Sequence, residues 1–317
     1  MKAKTENMGV EAVTKRNKRR EKLILNGWCW LFMSMSLIFY ILFQGYPIIC
    51  SIQYSFLDWS GLTSHAAFIG LQNYVELIHD ELFWNAFFNS FKYTIMIVPL
   101  ELAVSLFLAY MLNNEALKGR TVYRTMYFIP VVTTASVVGI IMIFLLGVQG
   151  PINHLLVTLH LIKAPINFLG NAKYAMPTLV LISLWKDCVT YKIHWLAGLQ
   201  GVSKDVYEAA TVDGATRFQT FIHIVLPLIA PVGGIIAILC AINSLKVFDI
   251  VKTMTEGGPF YATDVIATYV YRSAFSSEIG MPRLGYASAA AILFGIAVIV
   301  IGIVLNIIKA RLNSRRV

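Results

Sequence analysis

Ser183, Lys186, Asp187, Thr190, Tyr191 and His194 lie at offsets of 0, 3, 4, 7, 8 and 11 within an otherwise apolar run, which places hydroxyl, ammonium, carboxylate, phenol and imidazole groups on one stripe of a helix. The chemistry of such a stripe is hydrogen bonding. Two roles fit it: the wall of a water-filled route for a hydroxyl-rich cargo, with Trp185 or Tyr191 stacking on a sugar face, or a polar seam joining helices of two subunits. Lys186 and Asp187 are adjacent, poorly placed for each other, and are expected to neutralise other neighbours. Farther along, "AINSLKVFD" carries Asn243, Lys246 and Asp249 along one side, with Phe248 among them. The plainer reading there is that Lys246 and Asp249 simply emerge at a membrane surface. Glu101 stands inside another apolar run, where an ionisable group costs roughly 2.5 to 3.5 kcal/mol. It requires a buried basic partner or a role specific to the cargo.

None of these groups forms a catalytic set. The chain contains no GxxxxGK[ST] loop, no HExxH and no GxSxG, and His65, His79, His154, His160, His194 and His223 lack metal-ligand spacing. No catalytic residue, metal site or cofactor is expected in this chain. If energy is consumed, another chain must hydrolyse the nucleotide. Cys29, Cys50, Cys188 and Cys240 show no CxxC spacing and read as packing residues.

The elements that must position the polar groups follow from composition. The chain has 317 residues, 57% hydrophobic and 14% charged, with a mean hydropathy of +0.68. A soluble domain cannot hide that much apolar surface. A helical crossing needs about 20 apolar residues, and six runs satisfy this: 24–43, 87–111, 123–146, 174–196, 225–245 and 286–308. The first follows basic residues but is too long for a cleaved signal peptide and lacks a small-residue cleavage site. If the six alternate, 17 of the 26 basic residues fall on one side, in "KRNKRREK" with Lys2 and Lys4, in "NNEALKGRTVYR", in the insert after the fourth run and in "KARLNSRR". That side is cytoplasmic, with both termini. The net charge of +9 is a topology and headgroup signal and does not point to nucleic acid.

Three segments face the opposite side. The largest, 46–86, contains "FIGLQNYVELIHDELFWNAF", amphipathic enough for a helix lying on the membrane. The second, 149–173, is punctuated by Gly and Pro, and the third, 247–283, carries "TEGGPFYATD". The cytoplasmic insert "SKDVYEAATVDGATRFQTFIHIVLPLIAP" reads as two short helices with a hinge. Ser203 is placed to cap the first, with Asp205 in its first turn, and Gly214 to close it in a left-handed conformation. Thr216 and Gln219 form a capping box for the second, which is expected to end before Pro227. The first helix is expected to expose Tyr207, Ala210 and Thr211 beside Glu208, a surface suited to a partner's groove. The plainer alternative is a linker helix floating on the headgroups.

Glu208-Ala209-Ala210, Gly214, Ile224 and Leu226-Pro227 resemble the EAA signature of permease subunits of binding-protein-dependent ABC importers. "KGRTVYRTMYFIPVV", "LAGLQGVSKDVYEAA", "FDIVKTMTEGGPFYATD" and "TYVYRSAF" are, in order, similar to the carbohydrate branch, the sugar and glycerol-phosphate permeases of the maltose-transporter type. The resemblance covers residues 24–308. It implies an all-α polytopic membrane protein of the type I importer fold, with six transmembrane helices and a cytoplasmic EAA coupling helix. The implied organisation is a basic tail at 1–23, a first helix and extracytoplasmic segment at 24–86, a core at 87–308 with its coupling loop at 199–224, and a basic tail at 309–317.

The resemblance further implies that Tyr207, Glu208, Ala209, Ala210, Asp213 and Gly214 seat in a cytoplasmic ATPase, Glu208 as charged contact and Gly214 as turn. It places Trp185, Lys186, Asp187, Tyr191, Asn243, Lys246, Phe248 and Asp249 along the cargo pathway, Phe248 as a sugar-stacking ring. Gly257, Gly258 and Pro259 become docking surface for a binding protein, the bland alternative being a re-entrant turn. Implied partners are a second, homologous permease, two ATPase copies carrying ATP and Mg, and an extracytoplasmic binding protein. The rival readings are a proton-coupled transporter with Glu101, Asp187 and His194 as relay, and an importer of glycerol-phosphate or another non-sugar solute.

Overall fold

The computed structural model describes residue 22 and residues 24–63, 66–113, 120–276 and 281–314. Most of the basic N-terminal tail, residues 114–119 of the second connection and the last three residues lie outside the described residues. Helix α1, Ile24–Tyr54, is longer than the expected 24–43. The chain passes Pro47 because a π-helical turn at Ile41–Gly45 precedes it, so that the proline falls in the first turn of a fresh α-helical stretch. There its missing N–H leaves no broken bond.

A two-residue antiparallel hairpin follows, β1 (Leu57–Asp58) on β2 (Ala67–Phe68), with Leu57 opposite Phe68. Helix α2 covers Gln72–His79 and α3 covers Glu81–Asn113. The single amphipathic helix expected here is therefore broken at Asp80. That residue is extended, and its Oδ1 accepts from the N–H groups of Leu82 (2.8 Å) and Phe83 (3.3 Å), starting α3 afresh. Along α3 the buried positions Phe83, Ala86, Ser90, Tyr93, Ile97, Glu101, Ser105, Leu108 and Leu112 repeat every three or four residues, the stripe of a helix packed along its length.

The expected span 123–146 is two helices, α4 (Arg120–Val132) and α5 (Ala135–Leu146). Thr134 leaves helical geometry between them and caps α5, accepting from Val137 N. The crossing-length apolar stretch is Ala135–Thr158, which takes in α6, Pro151–Thr158. Buried Asn153 ties the following connection down, donating to Gly147 O and Ile166 O, both at 2.9 Å. Helix α7, Ala172–Gln200, has 29 residues, about 43 Å of rise. Among the described residues, five stretches are long and apolar enough to cross a membrane, and α7 is not among them. Lys186, Asp187, Lys192 and His194 dilute its apolar run.

Helix α8 is Lys204–Val212, and α9 runs as one stretch over Arg217–Leu245. The second helix of the insert does not stop before Pro227. A π-helical turn at Phe221–Val225 again precedes the proline and carries the helix through. Helices α10 (Asp249–Met254), α11 (Ile266–Phe275) and α12 (Leu284–Ser314) complete the chain.

The core divides along the long axis of the bundle. At one end Leu77, Phe83, Ile266, Tyr269, Tyr286 and Ala290 interlock α2, α3, α11 and α12. At the other, Ala109, Tyr191, Trp195, Leu199, Val225 and Ile229 join α3, α7 and α9. Gly285 lets α12 close on β1 and the end of α1, because a Cβ there would stand 2.0 Å from Leu57 O and 2.9 Å from Tyr54 O. Large apolar side chains on the outer faces, such as Phe32, Phe107, Phe144 and Ile299, remain exposed, as a lipid-facing surface requires.

Candidate functional site

Between α3, α7, α9 and the start of α10 lies a cavity of about 210 Å³. Helix α3 contributes Tyr93, Ile97 and Glu101, α7 contributes Ser183, Lys186, Asp187 and Tyr191, and α9 contributes Cys240, Asn243 and Ser244. Lys246, Phe248 and Asp249 close its rim. Asn243 Nδ2 donates to the Tyr191 hydroxyl at 3.1 Å, and Ser244 Oγ to Thr94 Oγ1 at 3.0 Å. Lys186 Nζ lies 2.9 Å from Asp187 Oδ1, so the two pair with each other, against expectation. Adjacent side chains on a helix diverge, but a flexible lysine stem folds back where a half-exposed carboxylate is the nearest acceptor.

Seven of the eight residues assigned to the pathway line this cavity. Trp185 does not: it is half exposed on another face of α7, where it borders an apolar cleft with Val104, Met126 and Pro130. Thr190 and His194 are also exposed, the His194 ring Nδ1 lying 3.2 Å from Thr190 O. The stripe divides because the buried face of α7 rotates along its length, from Met176, Leu179 and Ser183 to Cys188, Lys192, Trp195 and Leu199. Neighbouring helices cross α7 at an angle, so no single stripe stays buried.

Glu101 is buried at 4% exposure. Its Oε2 accepts from the Cys240 thiol, which lines the cavity with it. Sequence reasoning flagged Glu101 but left it unplaced, and it missed Tyr93, Cys240 and Ser244. The α3 residues were accessible from their three-and-four spacing; Cys240 and Ser244 carried no signal beyond lying one turn before Asn243 and directly after it.

At the opposite end of α10 from the cavity rim, the GGP loop is clamped by its neighbours. Gly257 is buried at φ +90°, and a Cβ there would stand 2.8 Å from Asp264 Oδ1, so glycine is required twice over. Thr263 Oγ1 donates to Gly258 O at 2.6 Å, Asn85 Nδ2 to Tyr261 O at 2.7 Å, and Asn89 Nδ2 to Asp264 O at 3.1 Å. Asp264 is fully buried; its Oδ2 meets Arg272 at 2.5 Å and its Oδ1 accepts from Thr268 at 2.7 Å. Burial pushes its carboxyl above the usual carboxylate range, Arg272 and Thr268 opposing that rise. Pro259 and Gly258 are half-buried, and the loop turns outward through Phe260, 95% exposed at φ +50°.

The insert at α8 is built otherwise. Ser203 occupies the cap position without a side-chain cap bond. Gly214 has φ +76°, the left-handed closure expected of it. The Thr216 and Gln219 box is formed, Gln219 Oε1 accepting from Thr216 N at 2.8 Å. Glu208, Ala209, Thr211, Asp213 and Gly214 are exposed, but Ala210 is buried at 3% and Tyr207 packs half-buried against the core cluster of α7 and α9. Burial raises the Tyr207 phenol above its usual range. These two residues anchor the helix and do not present it, because α8 must cover the end of the bundle to stay helical. The apolar groups the insert does offer are Val212 (87% exposed), at the end of α8, and Phe218 (73%), in the first turn of α9; neither carried a role in the sequence analysis.

Comparison with known proteins places this arrangement. Residues 101–317 match the family described as the binding-protein-dependent transport system inner membrane component. The chain is 30% identical to the lactose transport system permease protein LacF of Rhizobium radiobacter, over 87% of this chain and 91% of that one. It is also 30% identical to the multiple sugar-binding transport system permease protein MsmF of Streptococcus mutans, over 93% and 98%. Among solved structures, it is similar to a chain of the bacterial alginate ABC transporter in complex with an alginate pentasaccharide-bound periplasmic protein, with a TM-score of 0.77 at 26% identity, covering 92% of this chain and 97% of that one.

Proposed function

The chain belongs to the family of binding-protein-dependent transport system inner membrane components, and from that premise we propose that it is the permease subunit of an ATP-driven importer that carries a sugar or oligosaccharide across the cytoplasmic membrane. The observation that carries the cargo class is the cavity itself: amide, hydroxyl, ammonium and carboxylate groups beside the Phe248 and Tyr191 rings, enclosed by helices whose outer faces are apolar. A polyol exchanges its water shell for such groups. The sugar-transport relatives support the same reading.

In this reading the chain pairs with a second, homologous permease, which completes the cavity wall on the open side of Asn243, Lys246 and Asp249. An extracytoplasmic binding protein delivers cargo at the face of the GGP loop, where Phe260 projects. Two cytoplasmic ATPase copies hold ATP and Mg, receive α8 through Glu208, Ala209 and Asp213, and turn nucleotide closure into exposure of the cavity to alternate sides. Both chain termini are cytoplasmic. No covalent chemistry takes place in this chain.

A proton relay through Glu101, Asp187 and His194 fits the geometry poorly, since only the first two reach the cavity. The test is uptake by proteoliposomes containing the assembled importer. Transport that stops without ATP and continues with the proton gradient collapsed is expected; the reverse pattern overturns the assignment.

A further inference from the structure

Phe248 stands on the rim of the cavity and is the first ring of a row that leaves it. Its centroid lies 5.3 Å from that of Tyr271, which lies 5.4 Å from that of Phe275, with successive ring planes inclined by 52° and 49°. Exposure rises along the row. Phe248 is half-buried, Tyr271 is 40% exposed and Phe275 is 66% exposed.

Tyr271 and Phe275 border a recess of about 310 Å³ whose remaining lining is polar, including Lys252, Glu256, Thr268 and Ser276. Among the described residues no aliphatic side chain enters that lining. Lys252 sits over the Tyr271 face, 5.4 Å from its centroid, and 3.8 Å from Glu256. An aliphatic protein surface finds little to pack on here. A pyranose has an apolar C–H face and a rim of hydroxyls, and it matches rings edged by donors and acceptors. One ring suffices for one sugar, so a file of three that begins inside the cavity and ends in the open suits a linked chain.

The charges indicate what kind of chain. The cavity lining holds two ammonium groups, Lys186 and Lys246, with three carboxyls, Glu101, Asp187 and Asp249, of which Lys186 and Asp187 pair, and in the recess Arg272 is spent on Asp264 while Lys252 faces Glu256. A uronic-acid chain meets no net positive field.

We propose that Phe248, Tyr271 and Phe275 form a continuous stacking track along which a linked chain of uncharged sugars is threaded into the cavity. The track rests on the reading of the chain as a sugar permease. It names the cargo as an oligosaccharide and assigns Tyr271 and Phe275 as residues that select for its length.

The experiment uses the whole importer in proteoliposomes, offered size-graded partial hydrolysates of starch, galactan and mannan together with one of alginate. Lumenal contents are identified by mass. Neutral chains of two or more residues are expected inside. Tyr271→Ala and Phe275→Ala should each lower the ratio of long-chain to disaccharide uptake roughly tenfold, as loss of one aromatic contact predicts, and Tyr271→Phe should restore it. Three results overturn the track while leaving the sugar permease intact: a ratio unchanged in both alanine variants, uptake confined to monosaccharides or uronates, or an equal loss at every length accompanied by weakened binding-protein association. The last would make the row a protein-docking surface. If no sugar enters under any condition, the sugar-permease reading falls first and the track with it.

Discussion

The GGP loop and the insert at α8 are both short polar excursions from an apolar bundle, yet they are held in opposite ways. The GGP loop is tied by side chains reaching in from other elements: Asn85 and Asn89 from α3 donate to the Tyr261 and Asp264 carbonyls, and Arg272 from α11 pairs with the buried Asp264 carboxylate. The insert holds itself, through the Thr216 and Gln219 box and the Gly214 turn, and rests on the bundle mainly through Tyr207 and Ala210. The difference teaches where rigidity and mobility belong. On the proposed function, a loop framing the cargo mouth gains from being over-determined, whereas a helix that must follow a moving ATPase gains from few bonds to its own chain.

Arg272→Ala is the harshest test of the clamped end. It removes the cationic partner of a fully buried carboxyl, a defect that costs about 3–5 kcal/mol. Detergent-solubilised protein should show the largest fall in thermal midpoint of any variant considered for either region. A midpoint within a degree or so of wild type would mean that the outer clamp is not what organises that face. Gly257→Ala comes next, at about 1–3 kcal/mol, because it combines a left-handed φ with a Cβ driven toward Asp264.

At the inner end the matching probe is Ala210→Phe. Overpacking a buried alanine costs about 1–3 kcal/mol and should lift α8 from the bundle, so that copurification of the ATPase fails while the apolar spans remain inserted. Val212→Ser and Phe218→Ser change exposed groups and should move stability by no more than about 0.5 kcal/mol. If those two residues are the apolar contacts with the ATPase, transport and copurification should nevertheless fall. Loss of stability without loss of copurification reverses the contrast between the two ends.

Much of this contrast was legible in the residues. The spacing of Phe83, Tyr93, Ile97 and Glu101 announces a buried face, Thr216 with Gln219 announces a helix start, and Gly214 announces a left-handed turn. What failed were inferences that stopped at one helix. Pro227 read as a helix end, and the first run was expected to stop at residue 43, short of Pro47, yet a π-helical turn ahead of each proline moves the missing N–H into a first turn. The α7 stripe dispersed because burial is decided by crossing neighbours, and Tyr207 was assigned outward because its covering cluster comes from α7 and α9. The asparagine ties onto the GGP loop had no sequence signal at all, since they join residues more than 170 positions apart, Asn85 to Tyr261 and Asn89 to Asp264.

The smallest predicted effect sharpens the comparison by pH. Hydrogen bonding to Arg283 holds the Glu76 carboxyl below its ordinary range, and although burial works the other way, Tyr269, Tyr286 and two backbone N–H groups hold Asp80 low as well. A folded-state pKa below the unfolded one contributes stability above the unfolded value and loses it as pH falls through the folded value. Asp264 acts in the opposite sense, its carboxyl being raised by burial, and so offsets part of the loss. Stability measured by melting should therefore hold from neutral pH down to about 5 and decline below about 4. Glu76→Gln should cost under about 1 kcal/mol at neutral pH, since the Arg283 pair is half exposed, while making the acid limb shallower. The insert's Val212→Ser variant should leave that limb where it was. An acid limb that follows the insert variant and ignores Glu76 would place the pH-sensitive contacts at the end of the bundle that carries the insert and remove the claim of the GGP-loop end to be the rigid one.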